Sequence, residues 1–175
     1  MMKKRRMVKV YRFIAIKHFY NLAGYLLPIL AVFVLILGTY GSIGGLYLAP
    51  ADYQQGDAFR IIYVHVPSAF LSLFIYLVMA MAAVIGLIFR IKLADLIVSG
   101  SVFLGSWFTF LALLTGSVWA KPMWGAWWVW DARLTSELIL LFLYLGVIAL
   151  RSAIPEPRVA AKATAVLLML GLANI

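Results

Sequence analysis

Residues 18–51 read HFYNLAGYLLPILAVFVLILGTYGSIGGLYLAPA and contain no formally charged side chain. A helix that crosses the hydrocarbon core of a membrane needs about 20 apolar residues. The apolar region of a cleaved signal peptide is only about 7–15 residues long. The run is therefore long enough for an uncleaved transmembrane helix, which we predict at residues 22–44.

The composition of the whole chain also indicates a membrane protein. Of the 175 residues, 66% are hydrophobic and only 12% are charged, and the mean hydropathy is +1.04, whereas soluble domains carry roughly 25% charged residues. Further apolar runs predict helices at residues 66–89, 96–118 and 132–151, and a fifth that begins near residue 159. The predicted fold is all-α, a polytopic integral membrane protein with five transmembrane helices.

The net charge of +9 is concentrated before the first apolar run. We interpret residues 1–21 as a basic cytoplasmic head in contact with anionic membrane lipid, not as a nucleic-acid-binding segment, and residues 22–175 as the transmembrane domain. The turns near residues 90–92 and 151–162 are also basic, whereas loops 49–60 and 119–133 are nearly balanced. The positive-inside rule then places the amino terminus in the cytoplasm and both long loops outside.

The chain contains no cysteine. This excludes disulfides, a thiolate nucleophile and a cysteine-based metal site. It also excludes covalent haem attachment through a C-x-x-C-H motif.

Five of the six tryptophans lie in residues 119–137, WAKPMWGAWWVWDARLTSE: they are Trp119, Trp124, Trp127, Trp128 and Trp130. Three of them, Trp124, Trp127 and Trp128, have the spacing i, i+3, i+4, which would place them on one face of a helix. An aromatic surface followed by an arginine suits a planar, largely apolar ligand with anionic groups. The alternative is an ordinary belt of interfacial aromatic residues.

Charged residues mark the start of the fourth helix. Only 13 residues separate Glu137 from Arg151, which is about 20 Å of helix. The hydrocarbon core of a membrane is about 30 Å thick. The helix must therefore begin earlier, near residue 132, with Asp131 as its N-cap. Arg133 and Glu137 are then one turn apart. Either they neutralise each other at the membrane boundary, or Arg133 binds an anionic ligand and Glu137 orients it.

The chain has two histidines. We interpret His18, in the basic head, as an incidental interfacial residue. His65 precedes Pro67, which we place in the first turn of the second helix. The positive end of the helix dipole favours neutral imidazole, the form that ligates iron. The alternative is a polar side chain at the membrane interface.

The tryptophan-rich stretch WGAWWVWDARLTSELILLFLYLG, residues 124–146, resembles the signature of haem-handling membrane proteins. Its continuation after Asp131 is that of the CcmC family, which acts in cytochrome c maturation. Residues 55–69, around His65, are similar to the histidine motif of the same family. The two motifs occur in the order that the family has.

The resemblance implies that His65 is an axial ligand to the iron of haem b and that the five tryptophans hold the ring. It assigns Asp131, Arg133 and Glu137 to the propionates or to orienting roles, with no catalytic residue and no enzymatic activity. The implied function is delivery of haem to the chaperone CcmE at the periplasmic face of the inner membrane. The implied partners are CcmE and the complex subunits CcmA, CcmB and CcmD.

The sequence departs from the family pattern at its end. The family has a sixth helix, preceded by an outer loop with a second axial histidine, and these 175 residues contain neither. We therefore expect a domain truncated before that loop and a single histidine ligand. Two other functions stay open: a permease subunit for haem or another small solute, and a membrane enzyme with Asp131 and Glu137 as acid and base.

Overall fold

A computed structural model describes residues 16–175. Residues 1–15, which hold most of the predicted basic head, lie outside the described residues. The described chain forms five α-helices: α1 (Ile16–Ile43), α2 (Ile62–Phe89), α3 (Lys92–Trp124), α4 (Ala132–Ala153) and α5 (Pro157–Gly171). Within residues 16–175 there is no β-strand, so the all-α prediction is confirmed there.

Four helices of the described chain are long and apolar enough to cross a membrane. They are α1 with its following turn, α2 with its preceding turn, α3 and α4. α5 has 15 residues and is shorter than a typical crossing. The chain is therefore a polytopic membrane protein, while the fifth crossing and the orientation in the membrane stay predictions.

The core of the protein lies between α2, α3, α4 and α5. Its largest fully buried side chains are Tyr76, Met79, Leu140, Tyr144 and Leu168. α2 and α3 are consecutive antiparallel helices, and their contact is the most extensive in the bundle. By contrast, no residue of α1 is buried.

The end of α1 approaches the bundle at Gly45, in the helical turn Gly44–Leu48 that follows the helix. A Cβ atom at this position would lie 2.6 Å from the ring of Tyr63 at the start of α2. This close approach requires a glycine. The turn therefore connects α1 to the same end of the bundle that carries His65.

Two local predictions were wrong. α2 begins at Ile62, directly after the 3-10 turn Asp57–Ile61, so Pro67 lies in the second turn of the helix and not in the first. α3 ends at Trp124 and is capped by Gly125, whose φ of 75° favours glycine and whose N–H donates to the carbonyl of Lys121 at 3.0 Å. Residues 126–131 are not helical, so the tryptophans after Gly125 do not share a helical face with Trp124.

Candidate ligand-binding site at the tryptophan-rich end

His65, in the first turn of α2, is held by α3. Its Nδ1 lies 3.1 Å from the carbonyl oxygen of Ala112 and 3.1 Å from the hydroxyl oxygen of Thr115. A carbonyl only accepts hydrogen bonds, so Nδ1 carries the proton and donates it. Nε2 then keeps its lone pair, which is the arrangement that a metal-ligating histidine has. Nε2 makes no hydrogen bond with residues 16–175.

One face of α3 surrounds the imidazole. We call Ala112, Thr115, Gly116 and Trp119 the histidine socket; their spacing i, i+3, i+4, i+7 places them on one side of the helix. A Cβ atom at Gly116 would lie 3.1 Å from Cε1 of His65. The ring of Trp119 meets the imidazole edge-on, with 5.7 Å between centroids. The socket therefore fixes both the position and the tautomer of His65.

Trp119 also connects the socket to the loop between α1 and α2. Its indole N–H donates to the side-chain oxygen of Gln55 at 3.0 Å. Asp52 shapes this loop by accepting hydrogen bonds from the backbone N–H groups of Gln54 and Gln55. The loop, His65 and the start of the tryptophan-rich segment therefore lie at one end of the bundle.

The exposed indoles at this end lie close to cations. Trp124 and Trp127 are 54% and 57% exposed. The guanidinium of Arg133 lies 5.8 Å from the ring centroid of Trp124, and the ammonium of Lys121 lies 5.9 Å from that of Trp127. Both distances are within the range of cation–π attraction. The surface therefore combines apolar area with positive charge, as a ligand with an aromatic body and carboxylates requires.

Trp128 and Trp130 form an edge-to-face pair, with ring centroids 5.3 Å apart. Trp130 is 75% exposed, whereas the indole nitrogen of Trp128 is shielded from solvent and has no hydrogen-bond partner in residues 16–175. Leaving a buried donor unpaired costs about 1–3 kcal/mol. The tryptophans thus form a faceted surface and not one flat platform, and Trp128 has a donor to offer to a ligand.

Asp131 caps α4, as the sequence predicts. Its carboxylate accepts the backbone N–H of Leu134 at 2.8 Å and the guanidinium of Arg133 at 2.9 Å. The Leu134 N–H and the Arg133 side chain together hold the pKa of Asp131 below its ordinary value. The carboxylate therefore stays charged and orients Arg133 beside Trp124.

Glu137 is not the partner of Arg133, so the predicted Arg133–Glu137 pair is wrong. Its carboxyl oxygen accepts the hydroxyl of Ser72 on α2 at 2.7 Å, and Tyr144 donates to the carbonyl of Ser72 at 2.7 Å. The side chain of Arg133 is 80% exposed and turns toward Asp131. Glu137 instead faces the bundle, where it joins α4 to the helix that carries His65.

The sequence analysis missed the supporting residues. Gln55 lies in the motif around His65 but had no predicted role, and the socket residues on α3 had no motif to mark them. The spacing of small and polar residues at 112, 115 and 116 ahead of Trp119 was the available signal. No group of three or more His, Cys, Asp or Glu side chains converges in the part of the chain that the structure describes, so the socket presents one nitrogen and not a metal-ion cage.

Comparison with known proteins gives consistent matches over most of the chain. The family model described as "CcmC: Heme exporter protein C" matches residues 9–175. The chain is 53% identical over 156 residues to Heme exporter protein C of Escherichia coli strain K12, covering 89% of this chain and 64% of that protein. It is 53% identical to the protein of the same name from Haemophilus influenzae, covering 85% and 60%. The protein of that name from Bradyrhizobium diazoefficiens is 48% identical, with 90% and 59% covered. The chain thus spans less than two thirds of the length of these relatives.

Proposed function

The chain belongs to the CcmC family of haem exporter proteins, and from this premise we propose that it binds haem at its tryptophan-rich end. In this proposal the haem is held for cytochrome c maturation and passed to the chaperone CcmE. Haem is the cargo of the protein and not a catalytic group. The observation that carries the proposal is the geometry of His65, whose Nδ1–H is committed to Ala112 while Nε2 keeps its lone pair.

His65 supplies one axial ligand to the haem iron. A single imidazole does not hold a bare metal ion, because structural and catalytic sites use three or four protein ligands. It is sufficient for iron whose four equatorial positions are filled by a porphyrin. The hydrogen bond to Ala112 orients the ring and raises the basicity of Nε2, as outer partners of metal-bound histidines do.

The tryptophan-rich surface binds the porphyrin and its carboxylates. Trp119 contacts the imidazole and is closest to the iron ligand, while the exposed Trp124, Trp127 and Trp130 offer apolar ring area. Arg133, oriented by Asp131, and Lys121 pair with the propionates. The unpaired indole N–H of Trp128 donates a further hydrogen bond to the same ligand. Haem b, with two propionates on an apolar ring, fits these groups.

The route of the haem follows from this placement. The positive-inside rule places the tryptophan-rich end at the periplasmic face of the inner membrane, where CcmE accepts haem. CcmA, CcmB and CcmD are the subunits expected to assist release. This role is binding and transfer, with no catalytic residue.

The test is the absorbance and resonance Raman spectrum of haem bound to the purified chain. His65→Ala removes the protein ligand and is expected to shift the Soret band in both oxidation states while part of the haem remains on the aromatic surface. His18→Ala is the matched control, because it removes the other histidine and is expected to leave the spectrum unchanged. Transfer is measured separately as haem bound covalently to CcmE.

Two results contradict the proposal. An unchanged spectrum in His65→Ala means that this residue does not bind the iron. A wild-type chain that binds no haem, in membranes that also contain haem, favours the alternative of a permease subunit for another small solute. In the second case the tryptophan-rich surface acts as an interfacial anchor, and alanine replacements there leave haem transfer unchanged.

A further inference from the structure

A cavity lies at the end of the bundle opposite His65. Its volume is about 860 Å³, and it is lined by the start of α1, the end of α2, the start of α3, the end of α4 and the start of α5. Small and apolar residues such as Ala82, Ala83 and Val98 form its inner wall. None of its lining residues belongs to the tryptophan-rich surface.

Basic side chains from four of these helix ends surround this cavity. They are Arg90, Lys92, Arg151, Arg158 and Lys162, against two acidic lining residues, Asp95 and Glu156. Asp95 is paired with Arg151, with 2.9 Å between Oδ1 and Nη1. The other four cations form no ion pair with residues 16–175. The rim therefore carries an excess of unpaired positive charge.

A buried hydroxyl group lines the inner part of the cavity. Thr164 on α5 is only 1% exposed, and its Oγ1 has no hydrogen-bond partner in residues 16–175. A helical threonine ordinarily donates to a carbonyl of the preceding turn. An unpaired buried hydroxyl costs about 1–3 kcal/mol unless a ligand satisfies it.

Arg90 contributes one of the rim cations from an unusual backbone conformation. Arg90 caps the end of α2 with a φ of 54°. Among the non-glycine residues that the structure describes, it alone has a positive φ. Glycine is the usual residue in this conformation, so an arginine here is disfavoured by about 1–2 kcal/mol. The strained backbone places an extra cation on the rim.

We propose that this cavity binds an anionic phospholipid, with the phosphodiester at the basic rim and the glycerol and first acyl segments along the apolar wall. In this arrangement Thr164 donates to a lipid oxygen. Basic pockets between transmembrane helices commonly bind such headgroups. A free phosphate would leave the apolar wall without a ligand. The lining residues in the described part of the chain include no His, Cys, Met or Tyr that could ligate the iron of haem.

The experiment reconstitutes the full 175-residue chain in nanodiscs of phosphatidylcholine, with or without phosphatidylglycerol, and measures lipid retention by native mass spectrometry and thermal unfolding. Phosphatidylglycerol is expected to be retained and to raise Tm, and added salt to weaken the effect. Removing two rim cations with Arg158→Gln and Lys162→Gln together is expected to weaken binding roughly 30-fold. The matched control removes two cations at the other end, Lys121→Gln with Arg133→Gln, and is expected to retain the lipid.

Thr164→Val tests the buried hydroxyl at nearly constant volume. In detergent without lipid this variant is expected to be at least as stable as the wild type, and in phosphatidylglycerol it is expected to gain less stability. Equal retention of lipid by the wild type and the double rim variant would overturn the proposal. Two other results would overturn it as well: an equal Tm increase from phosphatidylcholine alone, or from soluble glycerol 3-phosphate, which would indicate a site for the free anion.

Discussion

The indole nitrogen of Trp119 lies 3.0 Å from the side-chain oxygen of Gln55, which comes 64 residues earlier in the chain. This bond joins the loop before α2 to the end of α3. The same indole meets the ring of His65 edge-on. Gln55 therefore fixes the wall beside the proposed iron ligand without contacting that ligand.

Gln55→Leu tests this relationship. The change keeps similar bulk but removes the acceptor, so the Trp119 N–H is left unpaired, at a cost of about 1–3 kcal/mol in the free energy of unfolding. We expect a lower Tm and a changed Soret band, because Trp119 is free to turn. Gln54→Leu is the control, since the side chain of Gln54 is exposed. Equal effects of the two substitutions would show that the hydrogen bond does not position Trp119.

Gly116→Ala tests the histidine socket. The added Cβ would lie 3.1 Å from Cε1 of His65, so the imidazole must move by a few tenths of an ångström. We expect a shift in the iron–histidine stretching band in resonance Raman spectra and several-fold weaker haem binding, with little change in Tm. Gly100→Ala, on the same helix, adds a methyl group with no atom within 4 Å and serves as the control. A spectrum unaltered by Gly116→Ala would mean that the socket does not define the position of the ligand.

Trp128→Phe separates stability from binding. The phenyl ring keeps most of the aromatic area and removes the unpaired N–H. We expect the haem-free protein to become more stable, by up to the 1–3 kcal/mol that an unpaired buried donor costs. Haem binding is expected to weaken, because the proposed donor to the ligand is lost. Trp130→Phe, at the exposed ring of the same pair, changes neither quantity strongly. If Trp128→Phe destabilises the haem-free chain, the indole N–H has a partner such as water.

The fold was largely predictable because four helices of the described chain are long and apolar. Asp131 predicted the start of α4 because an aspartate at this position accepts the N–H of the third helical residue. The start of α2 was placed too late, because the 3-10 turn before Ile62 has no strong sequence signal and Pro67 was read as a start marker. Helix caps can be predicted from the local sequence, whereas turns that depend on tertiary contacts cannot.

The sequence suggests residues for the candidate site, but it does not predict how their side chains pair. The sequence places Arg133 and Glu137 one helical turn apart, and this spacing is compatible with an ion pair. Instead, the hydroxyl of Ser72, on another helix, donates to the carboxyl oxygen of Glu137, and no local pattern reveals a partner 65 residues away. The histidine socket was missed for the same reason, since it exists only when α2 and α3 pack.

Glu137 provides a test of that long-range pairing. Glu137→Gln keeps an oxygen that accepts the Ser72 hydroxyl and is expected to leave Tm nearly unchanged. Glu137→Leu removes the acceptor and is expected to lower the free energy of unfolding by about 0.5–1.5 kcal/mol, because the hydrogen bond between α2 and α4 is lost while the Ser72 hydroxyl keeps the carbonyl of Ala69. Thermal unfolding in detergent measures both. The idea fails if the two variants are equally stable, or if charge reversal at Arg133 restores the stability of a Glu137 variant, since this would indicate a pair with Arg133.

Asp131 connects the start of α4 to the charge beside Trp124. Asp131→Asn keeps a good N-cap but loses the ion pair with Arg133, whereas Asp131→Ala loses both. We therefore expect Asn to weaken haem binding and to lower Tm slightly at neutral pH, and Ala to lower Tm further because the cap is lost as well. The binding loss is expected because Arg133 no longer has the carboxylate that orients it.

The same carboxylate gives the chain a pH dependence with a defined sign. The Leu134 N–H and Arg133 hold the pKa of Asp131 below its ordinary value, so its contribution to stability is present above the unfolded pKa of about 3.9 and is lost as the pH falls through the lower folded value. Thermal unfolding of the wild type between neutral and acidic pH should therefore show a loss of stability below about pH 4 that Asp131→Asn lacks at this position. The difference between the two proteins, and not the total acid sensitivity, isolates Asp131 from the other carboxyl groups. If the Tm values of the wild type and Asp131→Asn fall in parallel down to the most acidic pH, the cap and the Arg133 pair contribute no pH-dependent stability. Arg133 would then be oriented by Trp124 alone.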